Sequence, residues 1–297
     1  MSITQIKQDD DLQHTSGLQE RADGGSSRIS AAIRGVLMSI FLVVLGVFIL
    51  GPLIILCVWA FAGSWFYPAL LPQTWTLSWW QEILLNADIG HSIILSFIFA
   101  PVVTLLSAAI CLPAAYAFAR GSFPGQRVFL VSLFATNAFP KMGLYITMAG
   151  LLYAFGLMNT FWGVVLVQML NTVVVMTWIP TAAFAAVPRE LEDAARDAGA
   201  GLWTTFWRVT FPLALPGILV ALILAFLAAF DEAQGTFLVG APDYLTMPVQ
   251  MYTLVQNYPQ QAAAVFSIVL SIPSFVLLLL VRRYIIGGSL AAGFHLH

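Results

Sequence analysis

Three charged side chains stand inside otherwise apolar stretches of the sequence: Lys141, Asp231 and Glu232. A charge held in hydrocarbon is costly, so such residues face the interior of a bundle or a water-filled cavity, where they pair with one another or mark a solute path. Lys141 lies 13 residues and Asp231 15 residues into its stretch, which puts both about 20 Å from the same membrane face at 1.5 Å per residue. Two uses are open: an internal ion pair that orients two helices, or contact with a solute. Asn137, Asn171, Gln168, Thr177 and Gln234 add neutral hydrogen-bonding groups for the same path, or serve as glue between helices. Prolines at 101, 113, 140, 180 and 273 are expected to bend or break the helices that hold them.

Other chemistry finds little support. A phosphate-binding loop needs Gly-Lys-Ser/Thr, and the two lysines, Lys7 and Lys141, are followed by Gln8 and Met142. No His-Glu-x-x-His zinc motif occurs, and His14, His91, His295 and His297 are scattered. Cys57 and Cys111 both fall in apolar runs, as packed thiols do. No nucleophile, base or metal set converges, so an enzyme is not expected.

The elements that position these residues are membrane helices. The chain has 297 residues, of which 60% are hydrophobic and 9% charged, with a mean hydropathy of +0.89. Twelve basic residues against fourteen acidic ones leave no surface for nucleic acid. Six runs are long enough to span a bilayer: 33–60, 92–118, 128–152, 161–183, 216–239 and 262–281. The expected fold is an all-α, polytopic membrane bundle of six helices over 31–286, in contact with lipid. A polar, partly disordered segment at 1–30 precedes it, and a tail at 287–297 follows.

Basic residues alternate between the connections. Lys7, Arg21, Arg28 and Arg34 precede the first span, Arg120 and Arg127 follow the second, Arg189, Arg196 and Arg208 follow the fourth, and Arg282 and Arg283 follow the sixth. The remaining loops have none, which places both termini in the cytoplasm. The opposite loops carry Trp65, Phe66, Tyr67, Trp75, Trp79 and Trp80, then Tyr244, Tyr252 and Tyr258. These read as an interfacial belt, or as a docking surface for an external partner.

The loop at 187–212 is charged and helical in period within an apolar chain. Pro188 suits a first turn, and Glu190, Glu192 and Asp193 suit the positive end of a helix dipole. Leu191, Ala194, Ala195 and Ala198 form a small apolar face. Gly199 and Gly201 allow a turn, after which Leu202, Phe206 and Val209 form a second stripe before Pro212 and Pro216 open the fifth span. Two short helices and a turn are expected, able to enter a groove on another protein. An amphipathic helix lying on lipid is the alternative, though four acidic residues on the first helix would be repelled by an anionic leaflet.

Asp193-Ala194-Ala195, Gly199, Val209, Phe211 and Pro212 resemble the EAA loop in permease subunits of binding-protein-dependent ABC importers. Asp193, Val209 and Phe211 stand where that pattern has Glu, Ile and Leu. The resemblance implies a type I importer permease of the bacterial inner membrane. It would act with a second permease chain, identical or not, two ATPase subunits that bind ATP and Mg, and an extracytoplasmic solute-binding protein. It further implies that Glu190, Glu192, Asp193, Ala194, Ala195, Gly199, Leu202, Phe206, Val209 and Pro212 couple the bundle to the ATPase. Asn137, Lys141, Asn171, Asp231 and Glu232 are the expected path residues.

For the solute, two segments disagree. FDEAQGTFLVGAPDYLTMPVQMY is similar to polyamine-type permeases, whereas RRYIIGGSLAAGFHLH resembles the tail of maltose and glycerol-phosphate permeases. The first is preferred as lying nearer a solute path, with sugar or sugar phosphate next. A transporter driven by an ion gradient is the alternative function, suggested by Asp231 and Glu232.

Overall fold

The computed structural model describes residues 34–66 and 68–284. The segment 1–30, the tail 287–297, Tyr67 and the histidines at 14, 295 and 297 lie outside the described residues.

The chain divides into two units, Met1–Val58 and Trp59–His297. The described part of the first, residues 34–58, belongs to helix α1 (Arg34–Phe61) and is apolar and mostly exposed, as a lipid-facing span is. The second unit is built from α2 (Ser78–Leu85), α3 (Ala87–Arg120), α4 (Gln126–Ala135), α5 (Lys141–Ala154), α6 (Phe161–Ala185), α7 (Arg189–Asp197), α8 (Leu202–Thr205), α9 (Phe211–Phe230), α10 (Gln234–Gly240), α11 (Met247–Asn257) and α12 (Gln260–Tyr284). The fold is all-α among the described residues.

Its centre is the packing of α3, α6 and α9. Small side chains let these helices approach: Ala108, Cys111, Ala221 and Ala225 are buried against Met176. Toward the end that carries α7, Ala115, Phe184, Val187, Ala214 and Ile218 continue the core. Ser107 and Thr172 share a hydrogen bond of 2.6 Å between α3 and α6, which satisfies both hydroxyls inside the bundle.

Among the described residues, five helices have the length and composition of a span. The expected third span, 128–152, is instead two pieces, α4 and α5, joined by a 3₁₀ turn Thr136–Ala138 and broken at Pro140. Proline lacks an N–H and bars the helical conformation from the residue before it, and Phe139 is accordingly extended. The depth reckoned for Lys141 along one straight helix therefore does not hold, because Lys141 opens α5. Pro101, Pro113, Pro180 and Pro273 stay inside their helices.

The fifth span is shifted from its expected place. Helix starts at Leu202 and passes through a π turn, Phe206–Thr210, directly into α9, so Pro212 and Pro216 lie within helix rather than opening it. The wider turn, with the Phe211 N–H bonded to the Phe206 carbonyl, relieves the clash a proline makes with the preceding turn. α9 ends at Phe230, and Asp231 and Glu232 stand in the break before α10. α11 then folds back from the following loop, its Met247 N–H donating to Ser96 Oγ on α3 at 2.8 Å.

Candidate functional site: a charged cavity and a coupling loop

The breaks at Pro140 and at Asp231 face a common cavity of about 380 Å³, lined by Lys141, Tyr145, Asn171, Asp231, Glu232, Gln234 and Tyr252 among others. Lys141, Asp231 and Gln234 are exposed to it, whereas Glu232 and Tyr145 are buried in its wall. Lys141 and Asp231 thus meet at one cavity, yet no ion pair joins them. The ion pairs among the described residues are Arg120–Glu192 and Arg196–Asp193. The backbone of Asn137 lies in the 3₁₀ turn before Pro140, and its side chain is outside the described ones.

Glu232 has a structural task. Its Oε1 accepts from the Gly235 N–H at 2.7 Å, and its Oε2 accepts from the Thr236 N–H at 2.8 Å and the Thr236 hydroxyl at 2.6 Å. A carboxylate at the start of a helix satisfies donors that have no partner within the helix. Gln168 extends this network by donating to Thr236 Oγ1 at 2.9 Å. Asn171 Nδ2 donates to the Tyr145 hydroxyl at 2.6 Å and holds that ring upright in the wall. Thr177 bonds back to the Val173 carbonyl of its own helix. Sequence reasoning missed Tyr145 and Thr236, and read Tyr252 as part of an interfacial belt or docking surface rather than of this cavity; their places arise only when α5, α10 and α11 come together.

The second feature is the loop at 187–212. α7 ends in a Schellman motif: the Gly199 N–H donates to Arg196 O at 2.9 Å and the Ala200 N–H to Ala195 O at 3.0 Å. Gly199 has φ of +88°, a conformation that a residue with a Cβ adopts at a cost. Leu191 is 46% exposed, Ala194 and Ala198 are exposed and Ala195 half-buried, so the small apolar face has no cover from the described residues. Glu190 and Asp193 are also exposed, Asp193 pairing with Arg196 at 2.7 Å.

Glu192 departs from expectation. Rather than being presented to a partner, it is turned inward, 5% exposed, and tied to Arg120 of α3 and Thr210 of the π turn. Phe206 and Val209 are half-buried, Phe206 stacking edge-on to Tyr116 with ring centroids 5.0 Å apart. Leu202 and Pro212 remain exposed. The Arg120–Glu192 pair also fixes the loops after α3 and α6 at one end of the unit.

Residues 24–287 match the family described as the binding-protein-dependent transport system inner membrane component. The chain belongs to this family. This permease is 27% identical over 240 residues to the maltodextrin transport system permease protein MdxG of Bacillus subtilis, covering 78% of this chain and 82% of that one. It is 28% identical over 224 residues to the trehalose transport system permease protein SugB of Mycobacterium tuberculosis, covering 74% and 82%. Among solved structures, a bacterial ABC transporter involved in import of the acidic polysaccharide alginate superposes with a TM-score of 0.67 at 19% identity, over 86% of this permease and 97% of that chain.

The protein is therefore a multi-pass inner-membrane permease subunit of an ABC importer and not itself an enzyme, with ATP hydrolysis carried out by a separate subunit. The relatives named here are sugar permeases, which reverses the order of the two solute classes read from the sequence.

Proposed function

We propose that this permease forms half of the translocation path for a sugar. The observation that carries this reading is the cavity itself, in which two tyrosines, an amide-rich wall and an unpaired Lys141 and Asp231 surround one space. Such a mixture of donors, acceptors and aromatic faces suits a neutral polyhydroxylated solute. The maltodextrin and trehalose permeases among the relatives support the same class.

α7, with its uncovered face of Leu191, Ala194 and Ala198, seats in a cleft of an ATPase subunit. Two such subunits hold ATP and Mg. A second permease chain completes the path, and an external binding protein delivers solute to the face opposite α7. Both termini and the loop at 187–212 are cytoplasmic, in keeping with the alternation of basic residues. Closure of the ATPase pair moves α7 as a body, and the bundle turns its cavity outward to receive the solute.

The test is uptake by proteoliposomes holding the assembled importer with its binding protein. ATP-dependent accumulation of maltodextrin or trehalose, with none of putrescine, is the expected result. Uptake of putrescine alone would overturn the sugar assignment, and uptake by this chain without ATP would overturn the importer mechanism.

A further inference from the structure

Beside α7 the bundle has two adjoining hollows that solute passage does not use. The first is an apolar groove of about 830 Å³ along α3 from Leu105 to Tyr116, walled on its far side by Phe184, Trp203, Phe206 and Trp207. The second, of about 290 Å³, is basic, lined by Arg120, Arg189 and Arg196 together with Glu192 and Thr205. Tyr116 and Leu202 line both, so the greasy groove opens beside the basic hollow.

The basic hollow has unanswered groups. Glu192 pairs with Arg120 and Asp193 with Arg196, while Arg189 has neither a hydrogen bond nor an ion pair among the described residues. Thr205 is 5% exposed, and its buried Oγ1 has no hydrogen-bond partner among the described residues. An orphan hydroxyl beside a free guanidinium is the equipment of an anion site, because a phosphate oxygen would satisfy both at once. Glu190, Asp193 and Asp197 do not line the hollow, and the one carboxylate that does, Glu192, is neutralised by Arg120.

The groove has the length of an acyl chain in one leaflet. Leu105 and Tyr116 are 11 residues apart on α3, about 16 Å along a helix, against roughly 15 Å for half of the hydrocarbon core. Trp203 and Trp207 wall the groove, Trp203 next in sequence to Leu202, which lines both hollows, and tryptophan is favoured near the water interface.

We propose that the two hollows together hold one anionic phospholipid of the leaflet bordering the loop at 187–212, with an acyl chain along α3 and the phosphate on Arg189 and Thr205. The lipid would bridge α3 to α7 and α8 at the root of the coupling loop.

Native mass spectrometry of the assembled importer, purified in mild detergent and offered phosphatidylglycerol or phosphatidylcholine, tests this. Phosphatidylglycerol should be retained in preference, and Arg189→Gln should lower its retention roughly tenfold, the size expected for a charge-assisted hydrogen bond. Thr205→Val should lower it in the same direction, while Arg127→Gln, at an exposed arginine elsewhere, should not. Ala109→Phe, which fills the groove, should also displace the lipid. Equal retention of the two lipids, or protection of the complex against heat by inorganic phosphate as strong as by phosphatidylglycerol, would overturn the proposal. So would crosslinking of residue 189 to the ATPase in a complex that keeps no lipid.

Discussion

Arg120, the last residue of α3, and Glu192, in the middle of α7, form an ion pair of 2.9 Å whose side chains are 12% and 7% exposed. The same Glu192 oxygen accepts from the Thr210 hydroxyl at 2.7 Å, and the Arg120 guanidinium also donates to the Val187 carbonyl at 2.8 Å. One carboxylate therefore ties α7 to a core helix and to the π turn that starts α9. Under the proposed coupling role, a push on α7 would pass to two membrane helices through this knot.

Breaking the pair should be costly. Glu192→Ala leaves Arg120 buried without its partner, and removing one member of a buried pair costs about 3–5 kcal/mol. Thermal unfolding of the detergent-solubilised permease is expected to shift down by several degrees. ATP hydrolysis by the assembled importer should then continue while uptake per ATP falls.

Asp231 and Glu232 are neighbours with opposite expected phenotypes. Glu232→Gln replaces an acceptor of three hydrogen bonds by a group with one acceptor oxygen, leaving a buried donor unmet at a cost of about 1–3 kcal/mol. Its melting temperature should fall. Asp231→Asn, at an exposed position on the cavity, should leave melting unchanged and alter the concentration dependence of uptake.

The approach of α9 to α6 depends on Gly217. A Cβ placed there would lie 2.5 Å from the Cβ of Ala183, so even Gly217→Ala requires the helices to separate. Overpacking of this kind costs about 1–3 kcal/mol. Loss of monodisperse protein on size-exclusion chromatography, eased by a compensating Ala183→Gly, is the expected outcome.

Gly199 gives a conformational test. Because a Cβ there meets open space, the obstacle to substitution is the positive φ alone. Gly199→Asn, which tolerates the left-handed region, should retain more transport than Gly199→Val. Equal loss in both would mean that the space belongs to a partner rather than to the turn.

Much of this architecture is legible in the sequence where one apolar run makes one helix. The run 161–183 is α6 (Phe161–Ala185) to within two residues, and Gly199 is visible as the end of α7 because only the Schellman turn needs it. The run 128–152 contains Pro140, one of five prolines expected to bend or break a helix, and composition does not distinguish it, which ends a helix, from Pro101, Pro113, Pro180 and Pro273, which stay inside theirs. α11 escaped notice because its buried side, Met247, Val249 and Leu254, is short and belongs to a segment that packs on α3 rather than crossing. At the cavity, Lys141, Asp231 and Glu232, each legible as a charge within an apolar stretch, line one space. That Glu232 caps α10 while Asp231 faces the cavity depends on where α9 stops, which composition does not encode. The inward turn of Glu192 likewise needs Arg120, 72 residues away.

Under the proposed function α7 is where this permease meets its ATPase, which photo-crosslinking in the assembled importer can show. A photo-reactive amino acid at position 191 or 194, on the uncovered face of α7, should attach to the ATPase subunit, with a yield that changes when ATP is added. The same probe at position 252, on α11 at the cavity, should not reach it. Co-purification of the ATPase with crosslinks from position 252 and none from 191 or 194 would contradict the account.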